Sequence, residues 1–315
     1  PAALIASIVT LAYTWSGGIL AVTLTDAVQY VIIVIGVTLC AYLAIDHLGG
    51  FDAMMSILYS NPRFETNMKP LANWSLVQFL GLFFSFLLGE FCAPYYIQRY
   101  ASTKSAKDSK NGLLIFGVHW IFFMATTAAI GLASMAIQPD VKPDLAFTNL
   151  IRDILPPGIT GLVFGALLAA VMSTGAAMIN TSAVIYTRDI YNKFINTAAT
   201  QAQLLRQSRL STLVVGGISI GVAIIFQDVF GLMIYMFKLW PSAILPPLMC
   251  GLLWGKISPY AGAPAVIAGG LSFFLWSDKV LGEPFGIPAN FIGIGMNCLV
   301  LFFIHQKMKG HKPEG

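Results

Sequence analysis

Ala170, Ser173 and Thr174 stand at i, i+3 and i+4 within the run Gly161–Ser182, so on a helix they share one face. A backbone carbonyl and two hydroxyls converging there offer the hard oxygen ligands that an alkali cation takes. The same spacing also suits a small-residue contact between helices, with the hydroxyls bonded back to the preceding turn. Four ionisable side chains also fall within or beside long apolar runs: Asp26, Glu90, His119 and Lys238. Such groups are costly in hydrocarbon and are functional candidates for that reason. Lys238 lies about nine residues into its run, roughly 13 Å deep at helical rise. At that depth it needs a carboxylate, backbone carbonyls, water or an anionic group of a solute. Glu90 is one available mate, because a buried pair costs less than two isolated charges; a solute is the other. His119 suits either a hydrogen-bonded packing role or a proton relay. Thr25-Asp26 is good N-terminal helix chemistry, and Asp26 suits a cation as well.

The elements that must hold these groups follow from composition. Of 315 residues, 57% are hydrophobic and 10% are charged, and the mean hydropathy is +0.76. An ordinary soluble domain carries about 25% charged residues. These values exclude a soluble enzyme, a disordered chain and a nucleic-acid binder, and they require an integral membrane protein. Residues 111–139 and 210–227 carry no Asp, Glu, Lys or Arg, and a helix needs about 20 residues to cross the hydrocarbon layer. The alternating ten-residue segments of an outer-membrane barrel are missing. The expected fold is an all-α polytopic bundle with about nine membrane segments, near residues 1–15, 25–44, 75–97, 111–135, 158–180, 211–227, 230–254, 261–277 and 288–305. Gly49-Gly50, Asn61-Pro62 and Pro156-Pro157-Gly158 punctuate the connections.

Basic residues set the orientation. One set of loops plus the tail carries Arg99, Lys104, Lys107, Lys110, Arg188, Lys193, Arg206, Arg209, Lys256, Lys307, Lys309 and Lys312. The alternate loops carry only Arg63, Lys69, Lys142, Arg152 and Lys279. The positive-inside rule then places the C-terminus in the cytoplasm. Cys40, Cys92, Cys250 and Cys298 lie in apolar runs without metal spacing and read as buried thiols. The opening at Pro1, already inside an apolar run, reads as a fragment of a longer protein.

Three stretches together carry a family likeness. Tyr13-Thr-Trp-Ser-Gly-Gly-Ile-Leu-Ala-Val-Thr-Leu-Thr-Asp-Ala-Val-Gln29 resembles the Gly-Gly…Ala-Val…Thr-Asp-x-x-Gln element of the sodium/solute symporters. Tyr96-Ile-Gln-Arg…Ser105-Ala-Lys107 is similar to that family's Gln-Arg…Ser-x-Lys segment. Ala169-Ala-Val-Met-Ser-Thr…Asn180-Thr-Ser…Thr187-Arg-Asp-Ile-Tyr191 resembles its sodium-site helix and the stretch following it. The resemblance implies a five-plus-five inverted-repeat core of the leucine-transporter type, with a solute site near mid-membrane. On this reading the chain is a single membrane transporter domain lacking the first core helices. Residues 1–254 are core helices, and residues 255–315 form two peripheral helices and a short tail.

By position, the resemblance makes Ala170, Ser173 and Thr174 ligands of a coupling Na+, completed by carbonyls of an absent broken helix. Ala176 and Ala177 stand where some members use hydroxyls for a second sodium, so one sodium per cycle is expected, with Asp26 gating or structural. Ala93 and Pro94 stand where sugar-transporting members have a polar residue and Gln, which argues against a sugar. Glu90, Tyr95, Tyr96, Lys238 and Trp240 are the candidate solute contacts. The function implied is sodium-coupled symport of a small organic solute across the cytoplasmic membrane, by alternating access. The solute is carboxylate-bearing if Lys238 faces it, and a Glu90–Lys238 pair cancels that inference. No protein or nucleic-acid partner is evident beyond the lipid bilayer, and no nucleophile, metal cluster or phosphate loop points to an enzyme. Two alternatives stand: a transporter-like sensory input domain, and proton coupling through Glu90 and His119.

Overall fold

The computed structural model describes residues 2–65, 75–225, 228–254, 257–258 and 260–308, and every regular element among them is helical. The loop cations Lys69 and Lys256 and the tail cations Lys309 and Lys312 lie outside the described residues. The chain divides into two compact units, one of Pro1–Met68 with Ser102–Ile225, the other of Lys69–Ala101 with Phe226–Gly315.

The first unit contains α1 (Ala2–His47), α2 (Phe51–Ser60), α3 (Pro62–Glu65), α6 (Ala106–Ile137), α7 (Pro143–Ile154), α8 (Pro157–Ile185) and α9 (Gln201–Ile225), with a π-helical stretch, Tyr186–Ile195, continuing α8. The helix α1 is two helices joined at Gly18, whose φ of 55° and ψ of −147° lie where only glycine sits easily. The main packing of this unit sets α1 against α8. Their approach is close: a Cβ at Gly36 would fall 2.5 Å from that of Ala166. Val37, Cys40, Ala41 and Ala44 of α1 share one buried cluster with Met54, Leu58, Ile130, Ile151 and Val163. Gly49 and Gly50, at φ 83° and 106°, make the turn into α2.

The second unit contains α4 (Leu76–Cys92), α5 (Pro94–Ala101), α10 (Val229–Trp254), α11 (Gly262–Trp276) and α12 (Ala289–Lys307), with a 3-10 turn at Pro284–Gly286. Ser75 and Gln78 form a capping box that starts α4. The residue before a proline disfavours the helical region. Ala93 accordingly leaves it at ψ 119°, and α4 and α5 meet at a 41° bend. The helix α10 runs through Pro241, Pro246 and Pro247. Pro246 and Pro247 lack the N–H groups that the carbonyls of Ser242 and Ala243 would otherwise receive. Asn297 of α12 supplies both: its Nδ2 donates to Ser242 O at 3.0 Å and to Ala243 O at 2.7 Å. Gly269 of α11 and Gly293 of α12 admit this approach, since a Cβ on either would strike Ser242.

Six described helices are long and apolar enough to cross a membrane, or seven when α4 and α5 count as one span. The expectation of nine differs at two places. Residues 1–15 and 25–44 fall on the two helices either side of Gly18, which together count as one candidate span, and the segment at 261–277 is the 15-residue α11, below the length of a full crossing. Cys40 and Cys92 are buried as expected, whereas Cys250 is half-buried and Cys298 is exposed.

Candidate cation site and solute face

On α8 both hydroxyls bond back to the preceding turn, the pattern that the small-residue helix contact also gives. Ser173 Oγ donates to Ala170 O at 3.0 Å, and Thr174 Oγ1 donates to the same carbonyl at 3.1 Å. Three oxygens thus sit together on one helical face, with Ser173 half-buried and Thr174 exposed. Each hydroxyl has one proton and two lone-pair positions. Rotating the protons away from Ala170 O frees that carbonyl and leaves both hydroxyls able to accept a cation. As a donor set, one carbonyl and two hydroxyls fit an alkali ion and are too hard for a transition metal. No cluster of His, Cys, Asp or Glu suited to a metal ion occurs among the described residues. Ala176 and Ala177 are buried and offer no side-chain oxygen.

A tyrosine from α1 pins this helix. Tyr13 Oη donates to Met172 O at 3.2 Å, two residues beyond Ala170. Around the Tyr13 hydroxyl gather Thr10, Thr25 and Gln29, with the Asp26 carboxylate close enough to act on it electrostatically. Sequence reasoning missed this group, although the Thr10, Tyr13, Thr25, Asp26 and Gln29 spacing was there to be read. The capping role for Thr25-Asp26 is corrected: the helical break is at Gly18, so Asp26 lies two turns inside the following helix, and Thr25 Oγ1 bonds back to Ala21 O and Val22 O. His119 packs among rings, with centroids 5.0 Å from Tyr30 and 6.0 Å from Phe123.

The second unit sorts the solute candidates into two places. Glu90 hydrogen-bonds the Tyr96 side chain. Tyr95 lies 4.4 Å from Tyr96 and 6.3 Å from Trp240, centroid to centroid. One Glu90 oxygen, Oε2, is buried and accepts no hydrogen bond among the described residues. The carboxylate therefore sits beside a tyrosine hydroxyl with one oxygen to spare, an arrangement suited to an ammonium group. Lys238 belongs elsewhere. It and Trp240 are two residues apart, which places them on opposite sides of α10. Lys238 Nζ meets Glu283 Oε1 at 3.2 Å, so its partner is a loop carboxylate, neither Glu90 nor a solute being needed to neutralise it. Glu283 lies outside the apolar runs, in the loop between α11 and α12, where nothing in the local sequence marks it as the partner of a lysine 45 positions earlier.

A sequence model of the Sodium:solute symporter family matches residues 1–269. The chain is 28% identical over 290 residues to the osmoregulated proline transporter OpuE of Bacillus subtilis, covering 89% of this chain and 57% of that one. It is 27% identical over 280 residues to the sodium/proline symporter of Escherichia coli, covering 85% of this chain and 55% of that one. The chain thus spans little more than half the length of these relatives. A solved substrate-bound, outward-open Na+-coupled sialic acid symporter, for which a novel Na+ site was described, shares the fold at a TM-score of 0.71. It is 20% identical and covers 96% of this chain and 64% of that one.

Proposed function

The chain belongs to the sodium:solute symporter family, and we propose from that premise that the full-length protein moves a small zwitterionic amino acid with Na+. Its family and relatives are transporters rather than enzymes, and the all-helical, multi-pass fold, leucine-transporter-like in type, suits the plasma membrane. The observation carrying the proposal is the convergence of Ser173 and Thr174 on the carbonyl of Ala170. These three oxygens would take the sodium, and its descent down the gradient would supply the driving force, near 2.3 kcal/mol per charge per 100 mV of potential. Ala176 and Ala177 support a single sodium on this helix, and Asp26 has a structural or gating part beside Tyr13.

The relatives named above are proline transporters, and the Glu90, Tyr95, Tyr96 and Trp240 group supports a solute of that chemistry. A carboxylate with one oxygen to spare receives a secondary ammonium. A net anionic solute loses its support, since Lys238 is already neutralised by Glu283. Helices up to residue 254 form the transport core in this reading, with α11 and α12 peripheral and the C-terminus cytoplasmic. Nothing in the family or the relatives favours the sensory-domain or proton-coupled alternatives.

The test is uptake of radiolabelled L-proline into proteoliposomes holding the full-length protein, with and without an inward Na+ gradient. Gradient-dependent uptake lost in Ser173→Ala/Thr174→Ala establishes the reading. Uptake that ignores sodium, or survives the double substitution, overturns it.

A further inference from the structure

The first turns of α9 carry two guanidinium groups. Arg206 and Arg209 are both exposed, and among the described residues neither has an ion pair or a side-chain hydrogen bond. They stand at i and i+3, so both lie along one side of the helix. Within residues 181–225 the only acid is Asp189, and Lys193 holds it at 3.1 Å. Residues 1–25, which supply the neighbouring helix, carry no charge of either sign. The two cations are thus unmatched by the segments around them.

What positions them is the packing of α9 on the first half of α1. Thr212 and Gly216 continue the same side of α9, three and seven residues after Arg209. Thr212 is buried, and a Cβ at Gly216 would strike Leu11 Cδ1. One turn beyond Leu11, Trp15 brings its ring centroid to 6.0 Å from the Arg209 guanidinium carbon. A cation–π contact takes none of the five N–H donors of that group. The indole therefore steadies Arg209 and leaves its hydrogen-bonding capacity whole, with Arg206 one turn further along. Trp15 stands three residues before the break at Gly18.

Depth decides the partner. The helix α9 has 25 residues, about 37 Å at helical rise, against about 30 Å of hydrocarbon. Counting about 20 residues back from Ile225 brings the apolar boundary to Arg206, so both guanidinium groups stand at the level of lipid phosphates. Tryptophan favours the same level. Leu210, Leu213 and Val214 follow on α9, all exposed, and present apolar surface to an acyl chain below the charges. A soluble anion would use the charges alone, whereas a phospholipid uses both parts.

We propose that Trp15, Arg206 and Arg209 form a site for the headgroup of an anionic phospholipid, in the leaflet that the basic loops face. Guanidinium forks suit the oxygens of a phosphodiester, and basic pockets between membrane helices recognise anionic headgroups. A zwitterionic lipid brings its own ammonium to the same spot, where two guanidinium groups repel it. The bound headgroup touches α1 through Trp15 and α9 through both arginines, and so ties the two helices together beside Gly18.

The experiment is a native mass-spectrometric titration of the delipidated, full-length protein with dioleoyl-phosphatidylglycerol, and with dioleoyl-phosphatidylcholine as the zwitterionic control. The parent should bind its first phosphatidylglycerol at least tenfold more tightly than its first phosphatidylcholine. Arg206→Gln/Arg209→Gln should weaken that phosphatidylglycerol at least tenfold and leave phosphatidylcholine unchanged. Arg188→Gln/Lys193→Gln removes two positive charges from the neighbouring π-helical stretch and should change it less than twofold. Equal losses in the two double variants would mean that net charge alone attracts the lipid, which overturns the site, as does a parent with no preference between the lipids. Displacement of the lipid by sn-glycerol 3-phosphate at tenfold excess would make this a site for soluble phosphate and overturn the lipid assignment. Melting temperatures within a few degrees of the parent show that the variants are folded. Should the arginine variant fail to fold, Trp15→Leu, which keeps both charges, must weaken the phosphatidylglycerol at least threefold, and unchanged affinity overturns the proposal.

Discussion

The amide of Asn297 donates to the carbonyl of Ser242 at 3.0 Å, and that carbonyl is one that Pro246 deprives of its helical partner. Both residues are fully buried. Pro247 does the same to Ala243, and the same NH2 group serves it at 2.7 Å. In a membrane segment, every backbone carbonyl freed by a proline must be satisfied by protein or bound water.

Asn297→Ala should therefore destabilise the protein by about 1–3 kcal/mol, since it leaves one buried and one half-buried acceptor without donors. Asn297→Asp should be as bad or worse, because a carboxylate has no N–H to offer. Restoring the backbone donors with Pro246→Ala/Pro247→Ala should make Asn297→Ala far less damaging. A double-mutant cycle on thermal denaturation in detergent checks this; additive effects would mean the amide has another task.

Gly36→Ala and Gly269→Ala should each cost about 1–3 kcal/mol through overpacking, because their neighbours are a β-carbon and a backbone carbonyl. Gly165→Ala, with nothing within 4 Å of the added carbon, should leave the melting temperature nearly unchanged.

Tyr13→Phe removes the donor to Met172 O while keeping the ring. About 1 kcal/mol of stability should go with it. Because the bond grips α8 beside Ala170, sodium affinity read by thermal stabilisation should fall several-fold as well. A change in stability with no change in sodium affinity would confine Tyr13 to packing.

Ser173→Ala and Thr174→Ala should each weaken sodium binding at least tenfold, and Thr174→Ser should come close to the parent. The readout is the sodium concentration at half-maximal thermal stabilisation, which follows directly from linkage.

At the junction of α6 and α7, Arg152 holds the Asp153 carboxyl below its usual range, first by hydrogen bonding, and Gln138 Nε2 adds a further donor at 2.7 Å. A depressed carboxylate pKa contributes stability above its unfolded value and loses it as pH falls through the lower folded one. Acidification should therefore loosen this junction in hydrogen exchange, modestly because the site is exposed. In Asp153→Asn the pH dependence should vanish.

Hydropathy located every long helix, because a membrane span announces itself by composition over about 20 residues. It separated the first two segments on either side of Gly18 but did not reveal how sharply the chain turns there, since a single torsion angle leaves no hydropathic trace. The spacing of Ala170, Ser173 and Thr174 put them on one helical face but left a cation site and a helix contact both open, and only the family resemblance singled out the cation. Glu283 was not, because a loop residue acquires its partner only when α10 and α12 come together. Asn297 was invisible for the same reason: the prolines it compensates lie about fifty positions earlier in the chain.

The open space around Gly18 gives that position a separate character. An added Cβ there meets nothing within 4 Å, so alanine is opposed by torsion alone. Positive φ with ψ near −147° is essentially a glycine region and costs an L-residue about 1–3 kcal/mol, whereas it is the mirror image of ordinary extended backbone and suits a D-residue. Position 18 is consequently a chirality filter: D-alanine should fit where L-alanine resists. The penalty is small enough to act as a graded bias on the angle between the two halves of α1, set by one residue and leaving every packed surface intact.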